Sequence, residues 1–230
     1  MNDSVPAYWV VIPAAGVGSR MRADRPKQYL PLGDRTLIEH TLDCFLGQPT
    51  LNGLVVCLSP EDDWWPQLAC AGDSRITCAD GGRERAESVL NGLQALTSLG
   101  AHEQDWVLVH DAARPNLARS DLHNLLHTLQ DDPVGGLLGV PVRDTLKIAR
   151  PDGRVSHTPD RSVYWQAYTP QMFRLQPLRT ALQSALAAGV PVTDEASAME
   201  WTGHAPRLVE GRSDNIKVTR PEDLAFLRQL

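Results

Sequence analysis

The chain has 230 residues, 42% of them hydrophobic and 22% charged, and carries a formal net charge of −6. That is enough chain for one sizeable core, and the composition is that of a soluble globular protein rather than a disordered one. The acidic balance argues against nonspecific nucleic-acid binding and no apolar run approaches a membrane span. The start Met-Asn-Asp-Ser-Val-Pro has neither a basic region nor an apolar signal core, so export is not expected.

Residues 8–13 read as a continuous apolar, buried strand. A small-residue loop follows, Pro13-Ala-Ala-Gly16-Val-Gly18, and then four cations, Arg20, Arg22, Arg25 and Lys27. A loop without bulky side chains lets backbone N–H groups approach a ligand, and clustered cations make that ligand anionic. A nucleoside triphosphate, its phosphates held by the cations, is the expected occupant. The layout is neither common phosphate fingerprint. Met21 stands where a dinucleotide motif needs its third glycine, and Lys27 follows Pro26 rather than a P-loop glycine.

Further along, 36–46 reads as a helix, 53–58 as a buried strand, and a short helix carries Trp64 and Trp65. A strand at 75–79 leads into Asp80-Gly81-Gly82 and a helix ending near 98. A strand at 105–110 and a helix at 120–130 come next. Cys44, Cys57, Cys70 and Cys78 form no Cys-x-x-Cys pair and read as reduced structural thiols, so zinc is not expected. His123 and His127 have i, i+4 spacing but no catalytic glutamate beside them, as on a solvated helix face.

The alternation breaks at 141–165. Two short alternating runs flank Pro151-Asp152-Gly153, a hairpin signal, and their polarity suits an arm projecting from the main sheet. Helices near 176–188 and 194–202 follow, then a strand pair near 207–218. A final helix is opened by a Thr219–Glu222 capping box. The fold expected is a three-layer α/β domain on a mostly parallel mixed sheet, one domain over 1–230 with a β-hairpin arm. Asp194 and Glu195, in a first helical turn, are accounted for by capping and the helix dipole.

Ligands of such sheets bind beyond the carboxyl ends of the strands. Three polar clusters fall there: Gly16–Lys27, Asp80-Gly81-Gly82 with Ser88, and Asp111-Ala-Ala-Arg114-Pro. Lysine usage adds to this. Only Lys27, Lys147 and Lys217 stand among 22 basic residues, and a compact ammonium can follow a phosphate oxygen where a planar fork cannot.

Seven motifs occur in order: Pro13-Ala-Ala-Gly-x-Gly-x-Arg-Met21, Pro26-Lys-Gln28, Asp80-Gly-Gly-x-x-Arg-x-x-Ser88-Val, Val109-His-Asp-Ala-Ala-Arg-Pro115, Pro141-Val-Arg-Asp-Thr145, Thr193-Asp-Glu-Ala196 and Asn215-Ile-Lys217. The set spans nearly the whole chain and resembles the 2-C-methyl-D-erythritol 4-phosphate cytidylyltransferase family of the non-mevalonate isoprenoid pathway. The resemblance implies a nucleotidyltransferase fold. It also implies a homodimer with interlocked arms and transfer of a cytidylyl group from CTP to 2-C-methyl-D-erythritol 4-phosphate, releasing pyrophosphate; the cytoplasmic location expected for the chain rests instead on its reduced thiols. A divalent cation, usually Mg2+, would be held mainly by the CTP phosphates, with no protein metal ligands expected. Ala14, Ala15, Gly16, Gly82 and Ser88 match nucleotide-binding positions, and Arg20, Lys27 and Lys217 the cations around the triphosphate. Asp111, Arg114, Thr145, Arg161, Thr169 and Lys217 match the acceptor pocket, with Thr145 and Arg161 reaching the partner's site. Arg83 stands where some relatives have Asp, which leaves that position without an assigned role. Two other readings stay open: a cytidylyltransferase for ribitol 5-phosphate or another polyol phosphate, and a noncatalytic nucleotide-sensing module.

Overall fold

The computed structural model describes residues 5–229 apart from 17, 19, 20, 22 and 23. At its centre is a seven-stranded sheet. In chain order its strands are β1 (Tyr8–Pro13), β4 (Leu51–Leu58), β5 (Ile76–Asp80), β6 (Trp106–Val109), β7 (Gly135–Pro141), β10 (Trp165–Arg174) and β11 (Arg207–Glu210). Across the sheet the order is β11-β7-β10-β6-β1-β4-β5. β1 pairs in parallel with β4 and β6, β4 with β5, and β11 with β7, whereas β10 runs against both of its neighbours. The small strands β2 (Pro31–Leu32) and β3 (Arg35–Thr36) form a ribbon, and β8 (Ile148–Ala149) and β9 (Val155–His157) form the hairpin of the arm.

Strand side chains alternate between faces, so each central strand feeds two cores. Val10 and Ile12, Leu54 and Val56, and Leu108 face α1 (Leu37–Leu46) and α3 (Arg119–Leu129), with Leu42, Phe45, Leu122 and Leu125. Val11, Val55, Cys57, Val107 and Val109 face α2 (Arg85–Ser98), α4 (Leu175–Ala187) and α5 (Glu195–Trp201), with Val89, Leu93, Leu178 and Met199. Burial of the sheet on both faces is why its strands read as unbroken apolar runs. Burial also pushes the thiol of Cys57 up to about 12 and that of Cys44 to about 11. A third, smaller cluster joins Met21, Leu37, Ala113 and Val218 to Leu224 and Leu227 of α6 (Pro221–Leu227). It ties the segment carrying Lys217 to the loop that follows β1.

Helix starts follow local chemistry. Glu39 accepts from the backbone N–H of Thr36 at 2.9 Å and from its hydroxyl at 2.7 Å, fixing the first turn of α1. At α6 the expected box is displaced by one residue. Asp223, not Glu222, accepts from Thr219 N and Arg220 N, both at 2.8 Å, and Arg220 is the N-cap.

Two central strands escape the sequence pattern. β7 reads Gly-Gly-Leu-Leu-Gly-Val-Pro, and its glycines answer to space: a Cβ on Gly135 would collide with Met172 O, and one on Gly136 with Arg207 O. β10 contains Pro170, after a cis Thr169–Pro170 bond, and its register with β7 shifts between Ala167 and Gln171. The expected strand pair near 207–218 is β11 alone. Residues 214–218 spend their backbone groups on the end of β6 and the loop after it. Asn215 O accepts from Arg114, Asp214 O from Asn116, and Val218 N donates to Ala113 O.

Candidate active site

The carboxyl ends of β1, β5 and β6 converge on a cleft of about 190 Å3. Its floor is made of the smallest side chains. Gly81 and Gly82 are packed too closely for anything larger, since a Cβ on Gly81 would collide with that of Ala15 and one on Gly82 with that of Glu87. Gly16 is the opposite case. Among the described residues, a Cβ there would meet no atom within 4 Å beyond its chain neighbours, and Gly16 lines the cleft. The Ser88 hydroxyl accepts from Gly82 N at 2.9 Å and donates to Glu84 O at 3.2 Å, so towards the cleft it has only a lone pair to offer.

Lys27 and Lys217 line the same cleft. The Lys27 stem crosses Gly18, whose φ of +67° suits glycine and where a Cβ would come within 2.8 Å of Lys27 Cγ. Its ammonium donates to Val218 O at 3.1 Å, beside Lys217. Below it, Gln28, 3% exposed, donates to Ala14 O at 2.6 Å and closes the loop on itself. Arg25 turns away from the cleft, contrary to the expectation for the four clustered cations. It pairs with Asp24 at 3.1 Å and lies 4.7 Å over the Trp64 ring, which stacks on Tyr29 at 6.3 Å. Here the aromatic face, rather than a phosphate, takes the guanidinium. Arg20 and Arg22 lie outside the described residues. Arg83 is exposed at the rim of the cleft.

A second pocket adjoins the first and shares Arg85, Asp111 and Lys217 with it. Asp111, 6% exposed, is gripped by three cations: Arg85 Nε at 3.0 Å, Lys217 Nζ at 3.0 Å and Arg114 Nε at 3.3 Å. Burial alone would raise its pKa. Arg85, Lys217 and Arg114 outweigh that and hold the carboxyl far below the usual carboxylate range. Arg114 is pinned further by Asn215 O at 2.6 Å and by the Tyr168 ring, 4.6 Å away.

Behind this wall runs a closed chain of hydrogen bonds. Asp111 N donates to Thr169 Oγ1 at 3.1 Å. The Thr169 hydroxyl then has its proton for His110 Nδ1 at 3.0 Å, which leaves Nε2–H of His110 to donate to Arg114 O at 3.0 Å. His110 is therefore neutral, and burial pushes its pKa down to about 4.

The site thus gathers Ala14, Ala15, Gly16, Gly82, Ser88, Lys27, Lys217, Asp111, Arg114 and Thr169 around two joined pockets. Thr145 and Arg161 are not there. Both are exposed on the arm and line neither pocket. Three participants escape the sequence reading: Arg85, His110 and Glu195. Glu195 is fully buried, and its carboxylate takes Arg85 Nη1 and Nη2 at 2.6 and 3.1 Å, beyond the capping role expected of it. Asp194 does cap α5, accepting from Ser197 N at 2.9 Å. His123 and His127 are exposed on α3.

Residues 8–229 match the family of 2-C-methyl-D-erythritol 4-phosphate cytidylyltransferase. A protein of that name from Ectopseudomonas mendocina (strain ymp) is 71% identical over 222 residues, covering 96% of this chain and 94% of the relative. The chain belongs to this family. As a cytidylyltransferase it is a nucleotidyltransferase, and its fold agrees. A crystal structure of 4-diphosphocytidyl-2C-methyl-D-erythritol synthase superposes with a TM-score of 0.84 at 38% identity, over 97% of this chain and 98% of that one. The Francisella tularensis cytidylyltransferase gives 0.82 at 34%, over 97% and 99%.

Proposed function

We propose that the small-residue cleft binds CTP, that the adjoining pocket binds 2-C-methyl-D-erythritol 4-phosphate, and that the cytidylyl group passes between them at the shared wall. The observation that carries this reading is that wall: two pockets meeting at Arg85, Asp111 and Lys217. An acceptor phosphate oxygen attacks the α-phosphorus of CTP. The new P–O bond forms as the bond to the β-phosphate oxygen breaks, giving 4-diphosphocytidyl-2-C-methyl-D-erythritol and pyrophosphate.

No general base is required, because a phosphate monoester with a second pKa of about 6 is already largely dianionic at neutral pH. The barrier is charge. Two polyanions must meet, and more negative charge gathers on the α-phosphoryl oxygens and the leaving pyrophosphate. Lys27 and Lys217, fixed before substrate arrives, address that charge, and Arg20 is assigned to the same task. Ala14, Ala15, Gly16, Gly82 and Ser88 hold the nucleoside, while Asp111, Arg114 and Thr169 shape the acceptor pocket.

The donor set does not fit a protein-held metal. Asp111 is taken up by three cations, and Glu87, below Gly82, accepts from Arg83 N at 2.6 Å. Among the described residues no group of three His, Cys, Asp or Glu side chains could hold an ion. Mg2+ is proposed to enter with the substrate, on the CTP phosphates.

The assembly proposed is a homodimer with exchanged arms, Thr145 and Arg161 completing the partner's acceptor pocket. Exposed Val155, Val163 and Tyr164 support it, being apolar surface on an arm with no core of its own. The compartment proposed is the cytoplasm, whose reducing conditions suit four free thiols. The test is pyrophosphate release from CTP across a panel of acceptors. Turnover with 2-C-methyl-D-erythritol 4-phosphate, abolished by chelating Mg2+, is expected. Faster turnover with ribitol 5-phosphate overturns the acceptor assignment.

A further inference from the structure

Two cations, Arg85 and Lys217, line both pockets, and of the two it is Arg85 that is gripped by two carboxylates. Its Nε serves Asp111 Oδ1, and Nη1 and Nη2 each give one N–H to Glu195. A guanidinium has five N–H donors, so the two carboxylates leave it two. Its side chain is 27% exposed, against 0% for Glu195, so the arginine reaches the pockets and the glutamate does not.

Glu195 does not make the junction better at attracting anions. Three cations, Arg85, Arg114 and Lys217, already face Asp111, and the second buried carboxylate only lowers the local positive charge. What it adds is direction. A carboxylate taking both Nη groups fixes the plane of the guanidinium as a single contact cannot. Glu195 is itself held from behind. Gln171 on β10 donates to Asp194 Oδ2 at 2.9 Å and accepts from Ala196 N at 2.8 Å, locking both neighbours of Glu195 to the sheet.

We propose that Arg85 is a substrate-contacting residue, donating its two remaining N–H groups to phosphate oxygens where the pockets meet, and that Glu195 is the positioning residue that fixes its plane. The inference rests on the cytidylyl-transfer reading above. With its Nη1–Nη2 edge on Glu195 and Nε on Asp111, the two N–H bonds left to Arg85 point to opposite edges of the guanidinium plane. They suit oxygens of two different phosphate groups, the chemistry that the two substrates bring to this wall from either side.

The test is steady-state pyrophosphate release from CTP and 2-C-methyl-D-erythritol 4-phosphate by wild type and three variants, each also followed by thermal melting. Arg85→Gln combined with Glu195→Gln replaces the buried ion pair by a neutral amide pair. We expect kcat to fall about 100-fold, with the CTP KM within about threefold of wild type. Glu195→Gln alone keeps the arginine and loosens its plane, and kcat should fall on the order of 10-fold. A folded double variant with near-normal kcat overturns the role of Arg85, as does a lowered melting temperature with kcat per folded molecule unchanged. Should the double variant fail to fold, Arg85→Lys decides. It keeps the buried charge pair, but a single nitrogen cannot span positions that the guanidinium reaches with three, so kcat should fall at least about 10-fold, and wild-type kcat overturns the proposal. Absence of turnover by wild type itself would overturn the functional reading instead.

Discussion

The junction around Asp111 and the arm at 141–165 both carry residues assigned to one acceptor pocket, yet they are built in opposite ways. At the junction, Asp111, Arg114, Thr169 and Glu195 are buried, and their side chains are held by the chain's own hydrogen bonds and ion pairs. On the arm, Val155 is 55% and Val163 75% exposed. Its side-chain contacts are local: Lys147 Nζ donates to Thr158 Oγ1 at 2.7 Å, and Arg161 to Arg143 O. One region is preorganised by its own chain. The other is ordered only locally and, in the proposed assembly, gains its place from a second copy. Substitutions at the junction should therefore damage fold and chemistry together, whereas those on the arm should damage substrate use and assembly without touching the fold.

The largest effect is expected at Asp111. Removing a buried carboxylate that three cations share leaves them facing one another, and breaking such a pair costs about 3–5 kcal/mol. Asp111→Ala should lower the melting temperature steeply and abolish pyrophosphate release. A variant that melts like wild type breaks the comparison at its strongest point. Next comes Lys27, which lines the cleft outside the Asp111 junction and is only half-buried, so its removal should spare the fold. Lys27→Met should lower kcat about 100- to 1,000-fold, with a much smaller change in CTP KM, because the charge it meets develops during transfer. Lys27→Arg should be impaired too, since a larger fork must pass Gly18. Near-normal kcat in Lys27→Met removes it from the mechanism.

A smaller effect is expected from pH. His110 has a folded pKa of about 4 against about 6.5 unfolded. Between those values the unfolded chain binds more protons, so stability is full above about pH 6.5 and falls by about 1.4 kcal/mol per unit as the pH drops towards 4. Denaturant unfolding at pH 7, 6 and 5 measures the slope, and His110→Asn should flatten it. An unchanged slope in that variant places the acid sensitivity elsewhere. The smallest effects on the fold belong to the arm. Arg161→Ala should leave the stability of the main body within about 0.5 kcal/mol of wild type while raising acceptor KM. Mixed with Lys27→Met in verified heterodimers, it should restore part of the activity, since one site then carries both lesions and the other neither. No recovery means that Arg161 acts within its own chain.

Much of this is legible in the sequence because the signals are local. Apolar runs reveal β1, β4, β5 and β6, and small residues followed by cations mark the loop that ends at Lys27. β7 and β10 are hidden by Gly135, Gly136 and Pro170, residues that ordinarily interrupt strands and here sit at close backbone approaches and an irregular pairing. Arg85 and Glu195 lie inside recognisable motifs, yet their partnership spans 110 residues and no spacing rule foretells it. The role of His110 is visible only once Thr169 arrives from a strand 59 residues away.

The stacking of Arg25 over Trp64, and of Trp64 on Tyr29, has an optical consequence. Trp64 is half-buried, and its indole lies under the guanidinium of a residue two positions before Lys27. Indole emission responds to the charge and polarity at its face, so any ligand that draws the Lys27 segment towards the cleft alters the light that Trp64 gives off. Trp64 therefore serves the Lys27 segment as a neighbouring fluorophore, and a Trp64→Phe variant separates its share from that of the other five tryptophans.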